Sequence, residues 1–124
     1  MIQAICFDLG DTLIAEETVI HNSCGQAITA KVVEGAFEVV RKLTKLGYKL
    51  AIIANDEDGV SARNVINNTG LKDYFNTILI SGELGIEKPD SRIFEVALES
   101  LGVKAKNAVM VGNRIDADIV GANR

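Results

Sequence analysis

Four short, unbroken apolar runs divide the chain. Residues 2–9 carry Ile2, Ile5, Cys6, Phe7 and Leu9. Residues 50–54 read LAIIA, residues 77–80 read TILI, and residues 108–111 read AVMV. Runs of this length without polar alternation fit strands covered on both faces, as in a parallel sheet. Between them the apolar spacing lengthens to three and four residues, the helical period. Residues 35–46 set Phe37, Val40, Leu43 and Leu46 on one stripe, closed by Gly47. Residues 61–68 follow Val60 and carry Val65 and Ile66 ahead of Gly70. Residues 91–101 carry Ile93, Phe94, Ala97, Leu98 and Leu101 ahead of Gly102, with Asp90 or Ser91 as the cap after Pro89. A further helix is expected to start near Asp116.

Strands alternating with helices imply right-handed crossovers and a three-layer α/β/α sandwich of Rossmann type around a mainly parallel sheet. Residues 14–33 are the least regular stretch. They are too short for a second domain and read as a flap, or a loop with one short helix. Residues 1–124 therefore read as a single core domain with no separate cap.

Composition narrows the partners. With 13 Lys+Arg against 17 Asp+Glu the net charge is −4, which argues against nucleic acid as a partner, since phosphate backbones need a basic face. A small phosphorylated ligand needs only local donors or a metal and stays open. No apolar run reaches the ~18 residues of a membrane span. No basic segment precedes an apolar stretch at the start, so no leader is expected and the expected setting is the cytoplasm. Cys6 and Cys24 have no CxxC spacing, so neither a disulfide framework nor a zinc site is indicated.

In open α/β sheets the ligand sits beyond the carboxyl ends of the strands. Asp8, Gly10, Asp11 and Thr12 follow the first run, and Asn55, Asp56, Glu57 and Asp58 the second. Ser81, Gly82 and Glu83 follow the third, with Lys88 and Pro89 beyond. Gly112, Asn113, Arg114, Asp116 and Asp118 follow the fourth. Carboxylates and one lysine thus converge on one crevice, a set suited to Mg²⁺ and phosphate chemistry. The acidic cluster 56–58 reads as a solvated loop and helix cap. The stretch between Gly82 and Gly85 reads as a flexible loop. His21, the lone histidine, reads as a surface residue.

Three segments carry a resemblance: FDLGDTL (7–13), KPDSRIF (88–94) and VGNRIDADIVGA (111–122). In this order, at the ends of these elements, the chain resembles the haloacid dehalogenase superfamily of hydrolases over residues 2–122. The resemblance implies roles position by position. Asp8 falls on the nucleophilic aspartate, which forms an aspartyl-phosphate in the phosphatases and also ligates Mg²⁺. Gly10 falls where phosphatases carry a second aspartate, which protonates the leaving group and then activates water. Glycine offers only its backbone carbonyl, itself a metal ligand in the family. Thr12 and Asn55 match residues of the substrate side. Lys88 matches the lysine that neutralises both the nucleophile and the phosphoryl oxygens. Asn113 stands where a metal-binding aspartate is usual, and Asp118 matches the second acidic position. The implied sets are Asp8 and Lys88 for catalysis, Thr12, Asn55 and Lys88 for substrate, and Asp8, Gly10, Asn113 and Asp118 for Mg²⁺.

Gly10, Ala54 and Asn113 depart from the family pattern. Ala54 stands where a Ser or Thr hydroxyl binds the phosphoryl group. Lost acid–base help costs ~10²–10⁴-fold, and one lost donor to developing charge about 10²–10³-fold. Asp11, Asp56 or Asp116 could substitute, although Asp11, directly after Gly10, should point elsewhere. Two functions stay open: an Mg²⁺-dependent phosphatase acting through Asp8, of low activity, and a non-catalytic domain that binds a phosphorylated ligand or a protein. Carbon–halogen hydrolysis ranks last, because the arginine and large cap it would bring are not evident between residues 13 and 33. The expected substrate is a small phosphorylated compound or a phosphoprotein. The family usually continues into another strand soon after the position of Arg124, so two readings stay open: a chain that goes on beyond Arg124, or a shortened form with an exposed edge that a homodimer could cover.

Overall fold

All four apolar runs are strands in the computed structural model, which describes residues 1–112. β1 (Ala4–Phe7) leads into a 3-10 turn (Glu16–Thr18) and a hairpin of β2 (Ile20–His21) and β3 (Ala27–Thr29). Helix α1 (Ala36–Lys45), β4 (Lys49–Ala54) and helix α2 (Val60–Thr69) follow. A 3-10 turn (Leu71–Tyr74), β5 (Thr77–Ile80) and one helical turn, α3 (Ser81–Leu84), come next. Helix α4 (Ser91–Leu101), a 3-10 turn (Ala105–Asn107) and β6 (Ala108–Val111) complete the described chain.

The main sheet runs in the order β5-β4-β1-β6, parallel throughout. In register, Ala4 lies between Lys49 and Ala108, and Ala51 pairs with Thr77. Successive side chains of a strand point to opposite faces, and both faces are covered. Ile5, Phe7, Leu50 and Ile52 pack with Val40 of α1 and Ala62, Val65 and Ile66 of α2. Ala4, Cys6, Ala51, Ile53 and Leu79 pack with Ile93, Phe94, Ala97 and Leu101 of α4. Two apolar layers enclose the sheet, which makes the three-layer sandwich and explains runs without polar alternation. Leu50, Ile52 and Ile53 are fully buried, and burial of each such side chain contributes about 1.5–3 kcal/mol.

Two expectations need correction. Residues 14–33, expected as a flap or a loop with one short helix, hold a short 3-10 helix and also an antiparallel two-stranded hairpin that was not expected. Turn chemistry makes the hairpin. The Asn22 Oδ1 accepts from the Cys24 and Gln26 N–H groups at 2.9 and 3.0 Å, and such a side chain stands in for a backbone turn. Residues 81–84 form a helical turn where a flexible loop was expected. The helix expected near Asp116 lies outside the described residues. Among those described, no helix is long and apolar enough to cross a membrane.

Candidate active site

β1 ends at Phe7, and Asp8 is still tied to the sheet by its N–H, which donates to the Val111 carbonyl at 2.9 Å. Lys88 reaches the same point from the segment between α3 and α4. Its Nζ donates to Asp8 Oδ1 at 2.8 Å. The two side chains are only 2% and 12% exposed, and charges buried this far persist when paired. Asn55, the first residue after β4, fixes the lysine. Its Nδ2 donates to the Lys88 carbonyl and its Oδ1 accepts from the Lys88 N–H, both at 2.9 Å. Three loops at the carboxyl end of the sheet thus converge on one ion pair.

Beside this pair lies a cavity of about 240 Å³. Asp8, Gly10, Ala54, Asn55 and Asp56 line its sheet side, and Ser61 and Ala62 of α2 contribute another wall. Glu16, Val19, His21 and Ala27 close it from the hairpin side. Asp8, Gly10 and Asn55 are therefore brought together as expected, with Lys88 behind Asp8. Asn55 spends its amide on the Lys88 backbone, so it positions the lysine as well as facing the cavity. Thr12 is not brought to the cavity. Its N–H closes the turn onto the Leu9 carbonyl at 3.3 Å. His21, exposed as expected, nonetheless stands on the cavity wall. Asn113 and Asp118 lie outside the described residues.

Glu16 and Ser61 are the residues that sequence reasoning missed. A Cβ built on Gly10 would overlap Glu16 Oε1 and lie 3.1 Å from its Cδ. The glutamate carboxylate therefore fills the space next to Asp8 that a side chain at position 10 would take. Asp11 fixes the Glu16 backbone: its own backbone is left-handed (φ 54°), and its Oδ1 accepts from the Glu16 N–H at 3.0 Å. Asp11 is thus committed to the turn, in line with the expectation that it points away from the chemistry. Burial pushes the Glu16 carboxyl above its ordinary value, and the negative charges of Asp11 and Asp8 push the same way, with His21 opposing. No spacing rule marks Glu16. Only the missing side chain of Gly10 hints that room exists for it.

Helix α2 fastens the hairpin over the cavity. Ser61, Asn64 and Asn68 share one helical face. The Ala27 N–H donates to Ser61 Oγ at 3.0 Å, and the Asn64 and Asn68 amides donate to the Ala27 and Ile28 carbonyls at 3.0 and 2.8 Å. At the start of α2, Asp58 Oδ1 accepts from the Val60 and Ser61 N–H groups, and Asp56 Oδ2 accepts from the Ala62 N–H at 2.7 Å. These two acids cap the helix, as the acidic cluster suggested. Burial is also the first cause of the raised Asp56 carboxyl. Gly82 ties the α2 loop to α3. Its N–H donates to the Asp56 carbonyl at 2.9 Å, and a Cβ there would overlap the Asp56 and Glu57 carbonyls and the Gly59 nitrogen. Close backbone approach, not flexibility, is what this glycine provides.

Asp8 and Gly10 line the cavity, and a carboxylate and a backbone carbonyl are the oxygen donor types that Mg²⁺ takes. Among the described residues, no three His, Cys, Asp or Glu side chains converge to hold an ion by themselves.

Comparison with known proteins agrees with this architecture. The model of the haloacid dehalogenase-like hydrolases matches residues 26–124. Over 83 residues the chain is 40% identical to a glyceraldehyde 3-phosphate phosphatase of Methanopyrus kandleri, covering 67% of this chain and 35% of that protein. A phosphoserine phosphatase of Thermus thermophilus is 40% identical over 76 residues, 61% of this chain and 30% of that protein. The chain thus spans about a third of the length of the curated relatives it matches. A structure of an uncharacterized protein from Listeria monocytogenes superposes with a TM-score of 0.78 at 34% identity, over 99% of this chain and 74% of that one. By its family match, its relatives and its fold, the chain belongs to the haloacid dehalogenase-like hydrolases.

Proposed function

We propose that the chain is an Mg²⁺-dependent phosphomonoesterase that works through an aspartyl-phosphate on Asp8. The observation that carries this reading is the buried Asp8–Lys88 pair on the rim of a cavity at the carboxyl end of the sheet. An Asp8 carboxylate oxygen attacks phosphorus, and the bond from phosphorus to the leaving oxygen breaks. That oxygen leaves with the bonding pair and takes its proton from water. Water then attacks the phosphorus of the acyl phosphate, the bond to Asp8 breaks, and the carboxylate and inorganic phosphate are restored. Splitting hydrolysis in this way replaces one hard step with two easier ones. Lys88 holds Asp8 in line for attack and sets positive charge beside the phosphoryl oxygens. Asn55 keeps Lys88 in place through its backbone. Asp8 and the Gly10 carbonyl, with Asn113 and Asp118 by the family resemblance, would hold Mg²⁺. The ion would offset phosphoryl charge.

The phosphatases among the relatives support a phosphate ester as the substrate class. A cytoplasmic setting accords with the two free thiols, Cys6 and Cys24. A second reading, a domain that binds phosphorylated ligands without turning them over, draws on Ala54. Its methyl lines the cavity where the family resemblance calls for a hydroxyl. Mg²⁺-dependent hydrolysis of p-nitrophenyl phosphate by the wild type beside Asp8→Asn separates the two. The phosphatase reading predicts activity that disappears in Asp8→Asn. Equal activity in both, or none in either from folded protein, would refute it.

A further inference from the structure

Beyond the two-step chemistry, the cavity beside Asp8 has a charge of its own. Besides Asp8, the acids Glu16 and Asp56 are among its lining residues, with His21 the one basic side chain and no lysine or arginine among the described residues that line it. Lys88 stands behind Asp8, with its Nζ donating to Asp8 Oδ1. Glu16 is exposed as a residue, yet its carboxylate is turned toward Gly10. Its N–H is held by Asp11, and its carboxylate fills the space over Gly10. The opposite wall is the hairpin, fixed to α2 by three hydrogen bonds, so the cavity has a set shape. At about 240 Å³ it is smaller than the ~300–1,000 Å³ pockets that take drug-sized ligands.

We propose that this cavity receives the leaving group of the substrate and selects a small one that carries hydroxyl or ammonium donors, with Glu16 as the selecting residue. The inference rests on the phosphatase reading of Asp8. A donor-bearing leaving group gives Glu16 hydrogens to accept, with the helix-capping Asp56 adding negative charge beside it. A carboxylate in the same place would face two like charges inside a partly enclosed site, where such juxtaposition is strongly unfavourable. The selectivity is therefore as much a rejection of anions as a preference for alcohols.

Glycerol 3-phosphate and 3-phosphoglycerate test this, because they differ by a CH₂OH against a carboxylate at the far carbon. The full chain with Mg²⁺ should favour glycerol 3-phosphate in kcat/KM by about tenfold or more. Glu16→Gln should shrink that ratio, chiefly by lowering the KM for 3-phosphoglycerate. Equal rates in the wild type, a preference for 3-phosphoglycerate, or a ratio untouched by Glu16→Gln would overturn the proposal. Titrating both esters into Asp8→Asn measures the same selection as affinity, without turnover. If no ester is hydrolysed by the wild type, the phosphatase reading fails, and the order of the two affinities still decides the selectivity.

Discussion

Asn55 and Lys88 exchange two hydrogen bonds of 2.9 Å, side chain to backbone, across 33 residues of sequence. One amide therefore fixes the backbone of the residue whose ammonium pairs with Asp8. Asn55→Ala should release that backbone and misplace the ammonium. A displacement of about 1 Å in such a site costs on the order of 10²-fold in rate. The drop should appear in kcat more than in KM, measured on p-nitrophenyl phosphate. Asn55→Ala with wild-type kcat would show that Lys88 is held by other means.

The Asp8–Lys88 pair makes a stability prediction as well. Removing one partner of a buried pair strands the other charge, at a cost of ~3–5 kcal/mol. Lys88→Met should show this in urea unfolding. Adding Asp8→Asn to Lys88→Met should recover much of the loss, because the double variant buries no unpaired charge. Strict additivity of the two substitutions would mean that the pair is not coupled in the folded state.

Arg63 and Glu83 link α2 to α3 beside the site, with nitrogen–oxygen distances of 2.6 and 3.1 Å. The guanidinium hydrogen bonds hold the Glu83 carboxyl below its ordinary value of 4.5. A lowered folded pKa means that the pair's stability is fully present above about 4.5 and is lost as pH falls through the folded value. Arg63→Met should therefore cost the ~0.2–1 kcal/mol of an exposed pair at neutral pH, and nothing once Glu83 is protonated. Thermal unfolding of both proteins across this range checks the convergence.

Gly82 makes the most local prediction. The atoms that a Cβ would strike are backbone of the α2 loop, which cannot rotate away like a side-chain tip. Gly82→Ala should cost ~1–3 kcal/mol, as overpacking does, and should loosen the loop that carries Asn55 and Asp56. An unchanged denaturant midpoint would show that the loop yields freely.

These residues also mark what was legible in the sequence. The strands were, because burial on both faces leaves an apolar run that needs no partner to be recognised. β5, α4 and β6 match their expected bounds, whereas β1 is shorter than its run, since Ile2 and Gln3 precede the strand and Asp8 leaves it. Asp8 was legible as the residue directly after a recognisable strand, and Lys88 through the KPDSRIF segment that carries the family resemblance. The hairpin was not, because its strands are short and its turn depends on the Asn22 side chain rather than on apolar spacing. The Ser61, Asn64 and Asn68 stripe looked like an ordinary polar helix face, and only the fold shows that it holds β3. Glu16 was hidden for a similar reason. Its place over Gly10 arises from a left-handed Asp11 and a 3-10 turn, neither of which has a periodic signature.

The central claim is covalent chemistry at Asp8, and its most direct measurement is an acid-quenched turnover of a phosphate ester with Mg²⁺, followed by peptide mass spectrometry. The account predicts a phosphoryl adduct on the peptide containing Asp8, present in the wild type during turnover and absent in Asp8→Asn. Continued hydrolysis with no adduct on that peptide, or an adduct that survives Asp8→Asn, would contradict it.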